Sequence, residues 1–423
     1  MKLTTFNIIL LAVFGLFIII GVIAFSTYKA KDAGSGVPVT VWGTASSGIF
    51  QKFVSDVIGG NKAGMVQYSE RSAATFEDDV INALASGKGP DVILLPEKDI
   101  LRFRDKVMPI PYTTLKERDF RDTYIGEGEL YLMPEGVLAV PFSIDPLVMY
   151  WNRSYLANVG VATPPRFWDE FFTFAENSTT RSATRSIIRS AVGLGEYRNI
   201  TNAKEIISAL TLQTGNSIVA LTDGAVKNSF SLQGTTESAI NFYTEFANPL
   251  KPDFTWSRAL PTSKQMFAAG DLALYFGFAS ERPDIRAKNP NLNFDVVELP
   301  QIRGAKTSIT YGRMTGFAIS RASQNATDAL ALITALTSAD AAAKWSAATG
   351  LPPVRRDLLS GKPSDIYQAI FYRAALQAES WLDPNPPKSA EIFQNMIEGV
   401  TGGRARVSES VARAAQELDL LLR

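Results

Sequence analysis

The chain contains no cysteine and no histidine. Their absence removes disulfides, thiolate nucleophiles, imidazole acid–base chemistry and zinc sites built from Cys and His. Lipid attachment through a lipobox cysteine is excluded too. No phosphate cradle is present: Gly304-Ala-Lys-Thr-Ser308 lacks both the leading glycine and the Gly–Lys adjacency of a P-loop and reads as a surface turn. An ATPase coupled to this protein must therefore lie on another chain. No Asp-x-Asp-x-Asp-Gly calcium loop occurs, and the acidic groups Glu77-Asp78-Asp79 and Glu117/Asp119/Asp122 read as solvated helix faces. Charge of either sign is not in excess, because 42 basic residues balance 42 acidic ones. No polybasic surface argues for nucleic acid or anionic lipid. No cofactor is expected, and any enzyme here would be left with carboxylates, Ser/Lys, Tyr or a hard metal.

What the chain does have is bulk and an α/β rhythm. Its 423 residues, 46% hydrophobic and 20% charged, suffice for two or three globular domains. Ile8 to Phe25 is a run of about 18 apolar residues, long for a removable signal and long enough for a spanning helix. Ala24-Phe25-Ser26 resembles a signal-peptidase site, yet the length favours an uncleaved anchor with the body outside the cytoplasm. Ala33 to Gly36 then forms a short tether.

Beyond the tether, Val37 to Trp42 alternates like a strand, and Ile49 to Ile58 carries a helical apolar face. Met65 to Tyr68 reads as a second strand, Thr75 to Ser86 as a helix, and Asp91 to Pro96 as a buried parallel strand. Such sheets bind ligands at the carboxyl ends of their strands, where Thr44, Ser46 and Glu97 stand. From Val137 to Tyr155 two apolar runs flank Pro141, Ser143, Asp145 and Pro146. This stretch predicts two strands joined by a stiff crossing, with Asp145 at its centre. Of the six tryptophans, Trp42 at a strand end and Trp381 before the proline-rich 383–387 break are the best candidates to face a ligand.

Several segments together resemble the extracellular solute-binding proteins of ABC importers, in the sugar-binding group typified by maltose-binding protein. The carriers are Thr40-Val-Trp-Gly43, Leu84-Ala-Ser-Gly-Lys-Gly-Pro-Asp-Val92, Val140 to Asn152, Thr163 to Glu170, Phe267 to Leu274 and Gly350 to Arg355. Each is weak alone; their order and spacing carry the match, which runs from Val37 to Arg423. The resemblance implies a two-lobed periplasmic-binding-protein fold of class α/β with hinge crossings, following the N-terminal anchor of residues 1–36. Residues 37–145 and 314–338 would form one lobe, 146–313 and 339–423 the other. It implies ligand contacts from Thr44 and Ser46, Glu97, Asp145, Gln213 and Asn216, Gly277 and Phe278, Arg313 and Trp381. Leu95 stands where maltose-binding protein has an aromatic, which argues against a linear maltodextrin. The implied partners are a small-molecule ligand, a sugar, and ABC permease subunits, with the protein acting as a membrane-anchored monomer. Two alternatives stand beside this reading: a glycan hydrolase using Asp145 and Glu97, and a non-transporting sensor on the same fold.

Overall fold

The computed structural model describes residues 38–423 apart from Arg185, Leu232, Gln233 and Ser364. The expected anchor and tether, residues 1–36, lie outside the described residues. Among the described residues no helix is long and apolar enough to cross a membrane.

The main strands in chain order are β1 (Val39–Gly43), β2 (Val66–Glu70), β3 (Val92–Pro96), β4 (Val140–Asn152), β5 (Ile187–Val192), β6 (Leu272–Phe278), β7 (Phe294–Val297) and β8 (Thr310–Ser320). The helices that matter for the site are α1 (Ser47–Ile58), α2 (Phe76–Ala85), α3 (Ala203–Gln213), α4 (Ala339–Thr349), α5 (Ile366–Leu376), α6 (Pro386–Thr401) and α7 (Val407–Leu421). β1 pairs in parallel with β2 on one side and β3 on the other. Val92, Ile93, Leu94 and Leu95 of β3 are all buried, as a strand covered on both faces requires. The second half repeats the theme, with β6 parallel to β5 and every residue of β6 buried.

Two long antiparallel strands join the halves. β8 pairs with β3 through Thr315–Ile319 and with the first part of β4 through Gly312–Phe317. β4 then leaves β8 and lies between β6 and β7. Here the structure corrects the expectation of two strands separated by a crossing: β4 is one continuous strand of 13 residues. Its prolines are accommodated because of where they fall. Pro146 sits where β4 exchanges β8 for β6 as its partner, and Pro141 sits beside the register shift at Thr315/Gly316. A missing N–H costs least at such places. A third connection, Ala378–Glu379, pairs in parallel with Thr310 and Tyr311 of β8.

Close approach at this crossing depends on two glycines of β8. A Cβ on Gly312 would lie 2.8 Å from Ala378 Cβ and 2.9 Å from Ile144 Cδ1, and one on Gly316 would lie 2.9 Å from Ala139 Cβ. Neither position has space for a side chain.

The expected lobe boundary at residue 338 does not match the packing. Trp345 of α4 lies among aromatic residues of the first half, 5.2 Å from Phe53, 6.2 Å from Phe50 and 4.5 Å from Phe142. The chain stays there through Val354 and Arg356, whose Nε donates to Tyr124 O at 2.6 Å. It reaches the second half only with α5, which packs on β4 and β7, and with α6 and α7. Residues 339–359 thus belong with the first half, because the anchor of an alanine-rich helix fits the pocket offered by α1. Replacing that anchor, Trp345→Ala, should cost about 3–5 kcal/mol of unfolding free energy. Chemical denaturation measures it, and a loss below ~1 kcal/mol would contradict this placement of α4.

Candidate functional site

The carboxyl ends of β1 and β3 face the amino ends of α3 and α6 across a cavity of about 660 Å³, with β8 contributing Tyr311, Arg313 and Thr315 to its wall. Thr44 follows β1 and is exposed at its rim. After β3, Pro96 ends the strand and the chain turns at once through the single 3₁₀ turn Glu97–Asp99. That turn brings Glu97 and Asp99 into the wall at 3% and 4% exposure, with the Lys98 side chain between them exposed. Burial pushes the Glu97 carboxyl up to about 8, against the opposing fields of Arg313 and Lys98. Asp99 is pushed up to about 6, again chiefly by burial, with Lys98 opposing and Glu77 reinforcing.

Arg313 is the most connected group in the wall. Its guanidinium ion-pairs with Glu205 in the first turn of α3, lies 3.7 Å over the Phe278 ring, and reaches Asn202 Oδ1 at 3.4 Å. Protein atoms crowd it on all sides, yet 44% of the side chain stays accessible because it opens into the cavity. In the ladder Arg313 stands opposite Asp145. Asp145 accepts the Ser280 N–H at 3.0 Å. Burial raises its carboxyl to about 6, with Ser280 and Arg313 pulling the other way. On the facing wall, Lys204 bonds Asp383 and donates to Ser389 Oγ at 2.7 Å, which ties α3 to the start of α6.

The residues singled out from the sequence separate clearly. Thr44, Glu97 and Arg313 meet at the cavity. Asp145 and Phe278 adjoin it through Arg313 without lining it. The two carboxyl groups envisaged as a hydrolytic pair, Asp145 and Glu97, therefore do not flank one space. Trp42 lies outside the lining, its ring 3.6 Å beneath the Arg71 guanidinium. Ser46 is exposed at the head of α1, where its carbonyl accepts the Phe50 N–H.

The remaining candidates are interior. Gln213 accepts the Trp168 Nε1 proton at 2.6 Å and donates to Pro300 O and Ile309 O at 3.0 and 2.7 Å. Its amide braces the second half. Asn216 is buried and donates to Thr235 Oγ1. Gly277 lies in buried β6, where an added Cβ would meet the Tyr275 ring at 2.5 Å. Trp381 is 2% exposed, donates to Ser208 Oγ at 3.1 Å and stacks on Phe393. The proline-rich break it precedes runs between α3 and α6 rather than over the surface, so the ring packs instead of facing a ligand.

Sequence reasoning missed Asp99, Lys204 and Glu205. The available signal was position: the first turn of a helix entered from the carboxyl side of a sheet points at the same face as the strand ends.

An α/β body whose halves are joined by crossing strands, with a solute-sized polar cavity between them, defines a binding protein. Residues 61–369 match the family of bacterial extracellular solute-binding proteins, and the chain belongs to that family. Its members bind solutes and are not enzymes. No curated protein matches the chain in sequence. Among solved structures, the chain is similar to a cyclo/maltodextrin-binding protein complexed with maltotetraose (17% identity, TM-score 0.76, covering 92% of this chain and 98% of the other). It is likewise similar to the cyclic alpha-maltosyl-1,6-maltose binding protein from Arthrobacter globiformis (16%, 0.73, 91% and 99%). A third is an ABC transporter solute-binding protein from Thermotoga lettingae bound with alpha-D-tagatose (20%, 0.69, 92% and 100%). At these identities the likeness establishes the fold.

The raised Glu97 carboxyl has a consequence for stability. Between the ordinary value of 4.5 and about 8 the folded chain holds a proton on Glu97 that the unfolded chain has released. Stability contributed by this group is therefore present below that window and lost as pH rises through it, by up to ~1.4 kcal/mol per pH unit. Glu97→Gln should flatten the fall in melting temperature across the window and raise it at the alkaline end. Superimposable pH profiles for the two proteins would refute the assignment.

Proposed function

We propose that this protein captures a small polar solute, a sugar, in the cavity beside Arg313 and delivers it to the permease of an ABC importer. The observation that carries the reading is the cavity itself. Its size falls in the range of about 300–1,000 Å³ typical of small-molecule sites, and its walls come from both halves with Arg313 between them. A guest held there touches both halves at once, so its contacts favour the closed arrangement over the open one. The similar structures hold maltotetraose and tagatose, which supports a sugar over a peptide or an oxyanion. In this reading the N-terminal apolar run keeps the protein on the outer face of the membrane as a single-pass anchor, and the receptor works as a monomer.

Calorimetry and thermal melting against a panel of sugars test the proposal. At a hundredfold excess over its dissociation constant the right sugar should add about 2.7 kcal/mol to unfolding free energy. Arg313→Met should weaken that binding by roughly tenfold or more, equivalent to ~1.4 kcal/mol. A panel of sugars that neither shifts the melting temperature nor produces heat would refute sugar capture. Recovery of the full chain, but not of a chain beginning at residue 37, in alkali-washed membranes would establish the anchor.

A further inference from the structure

The charges around the cavity do not balance, and the imbalance bears on the guest. Three cations near the wall are already committed: Arg102 to Glu77, Lys204 to Asp383 and Arg313 to Glu205. The Lys98 side chain stands out in solvent. Glu97 and Asp99 remain, both more than nine-tenths buried, both in the cavity wall, and neither in an ion pair among the described residues. The fields acting on Glu97 come from Arg313, Lys98 and Asp99, and Glu97 in turn acts on Tyr131, Glu127 and Tyr311. Only two of these groups are cations. One is shared with Glu205 and Asp145, and the other is hydrated. Two buried carboxyl groups without a fixed counter-ion are costly unless something neutralises them.

The aromatic content of the wall points the same way. A neutral sugar is commonly held by a ring lying flat against its apolar face. The rings that line this cavity, Phe76 and Tyr311, are 3% and 6% exposed, too little for a whole ring face, whereas a carboxyl group needs only one oxygen at the surface of the cavity. The wall is thus poor in stacking surface and rich in acid.

We infer that the guest carries a protonated amine, and that Glu97 and Asp99 form the pocket for its ammonium group. The inference rests on the reading of this cavity as the capture site and narrows the guest to an amine-bearing sugar or polyol. Before binding, a proton on Glu97 keeps the turn neutral near neutral pH. When the ammonium docks, the proton on Glu97 passes to the solvent and the carboxylate left behind accepts the ammonium N–H, so binding is coupled to proton release. Arg313 supplies the complementary specificity, since its N–H groups that face the cavity donate to hydroxyl oxygens of the guest and its charge repels the ammonium end toward Glu97.

The test is calorimetry on the intact chain with matched probes: glucosamine, galactosamine, chitosan di- and trisaccharides and kanamycin, against glucose, galactose, the N-acetylated chitosan oligomers and cellobiose, with spermidine as an amine lacking a sugar. The expected result is binding of at least one amine-bearing sugar roughly tenfold or more tighter than its neutral counterpart. That binding should release protons, read as a dependence of the observed heat on the buffer. Glu97→Gln and Asp99→Asn should each lower the preference by roughly tenfold, and unliganded melting curves would report whether either variant is misfolded. Neutral sugars binding as tightly as their amine counterparts would overturn the inference and leave sugar capture intact. Binding of spermidine alone would keep the ammonium pocket and overturn sugar capture. Failure of every amine-bearing probe would overturn the inference outright.

Discussion

One ladder register governs this structure: Arg313 of β8 stands opposite Asp145 of β4. From that position the guanidinium reaches Glu205 on the second half, lies over Phe278, and acts on Glu97 of the first. Slipping β8 by one residue would turn Arg313 to the opposite face of the sheet and bring Gly312 or Met314 to the cavity. The register is protected by packing that allows no slippage. Gly312 is pressed between Ala378 and Ile144, Gly316 against Ala139, and Tyr131 donates its hydroxyl proton to Leu95 O at 2.8 Å across the base of β3. Geometry that aims the Arg313 guanidinium at the cavity is therefore the same geometry that binds the halves together.

That coupling explains how the wall tolerates so much charge. Asp99 lies in the fields of Lys98 and Arg102, and carboxyl groups at 97, 145 and 205 act on one guanidinium. Glu205, directly paired with it, is held below the usual carboxylate value, whereas Glu97, Asp99 and Asp145 are raised. Glu205 parts from the others because it is directly paired with Arg313, whereas at the others desolvation outweighs the opposing charges. The second half has its own closed system: Glu281 accepts from Asn202 at 2.8 Å and from Tyr275 at 2.7 Å, and pairs with Lys264 at 2.9 Å. This leaves Asn202 fixed in a left-handed conformation at φ 62°, the position from which α3 presents Lys204 and Glu205.

Local pattern made most of the fold legible. β1, α1, α2 and β3 differ from their expected limits by a residue or two, since caps, apolar period and proline stops are local. The place where β4 passes from one half to the other was legible because two prolines and a lone carboxylate between apolar runs are a local signal too. The half against which Trp345 packs, and the interior places of Trp381 and Gln213, were not legible for the opposite reason. Each sits in a segment whose own pattern is neutral about destination, and its partners (Phe50 and Phe53, Ser208 and Phe393, Pro300 and Ile309) come from distant parts of the chain. The acid in the cavity wall was half legible. Glu97 stood at a strand end, but whether it is solvated or buried depends on α3 and β8 closing over it, which no window around residue 97 encodes.

The crossing also shows why the imbalance of charge is confined to the cavity. Behind it, where β8 meets the Ala378–Glu379 connection, Glu127 is 2% exposed and accepts from Ser380 Oγ at 2.6 Å, while its other oxygen has no hydrogen-bond partner among the described residues. Burial drives this carboxyl well above its ordinary range, with Ser380 opposing and Glu97 adding to the rise. A proton held there leaves the strand junction uncharged. Glu97 borders the cavity between the halves, where its proton can be exchanged for an ammonium, whereas Glu127 borders a separate, smaller pocket of about 340 Å³ and accepts from Ser380. The same residue type, buried to nearly the same degree, thus serves the junction as a neutral strut and the cavity as an acceptor.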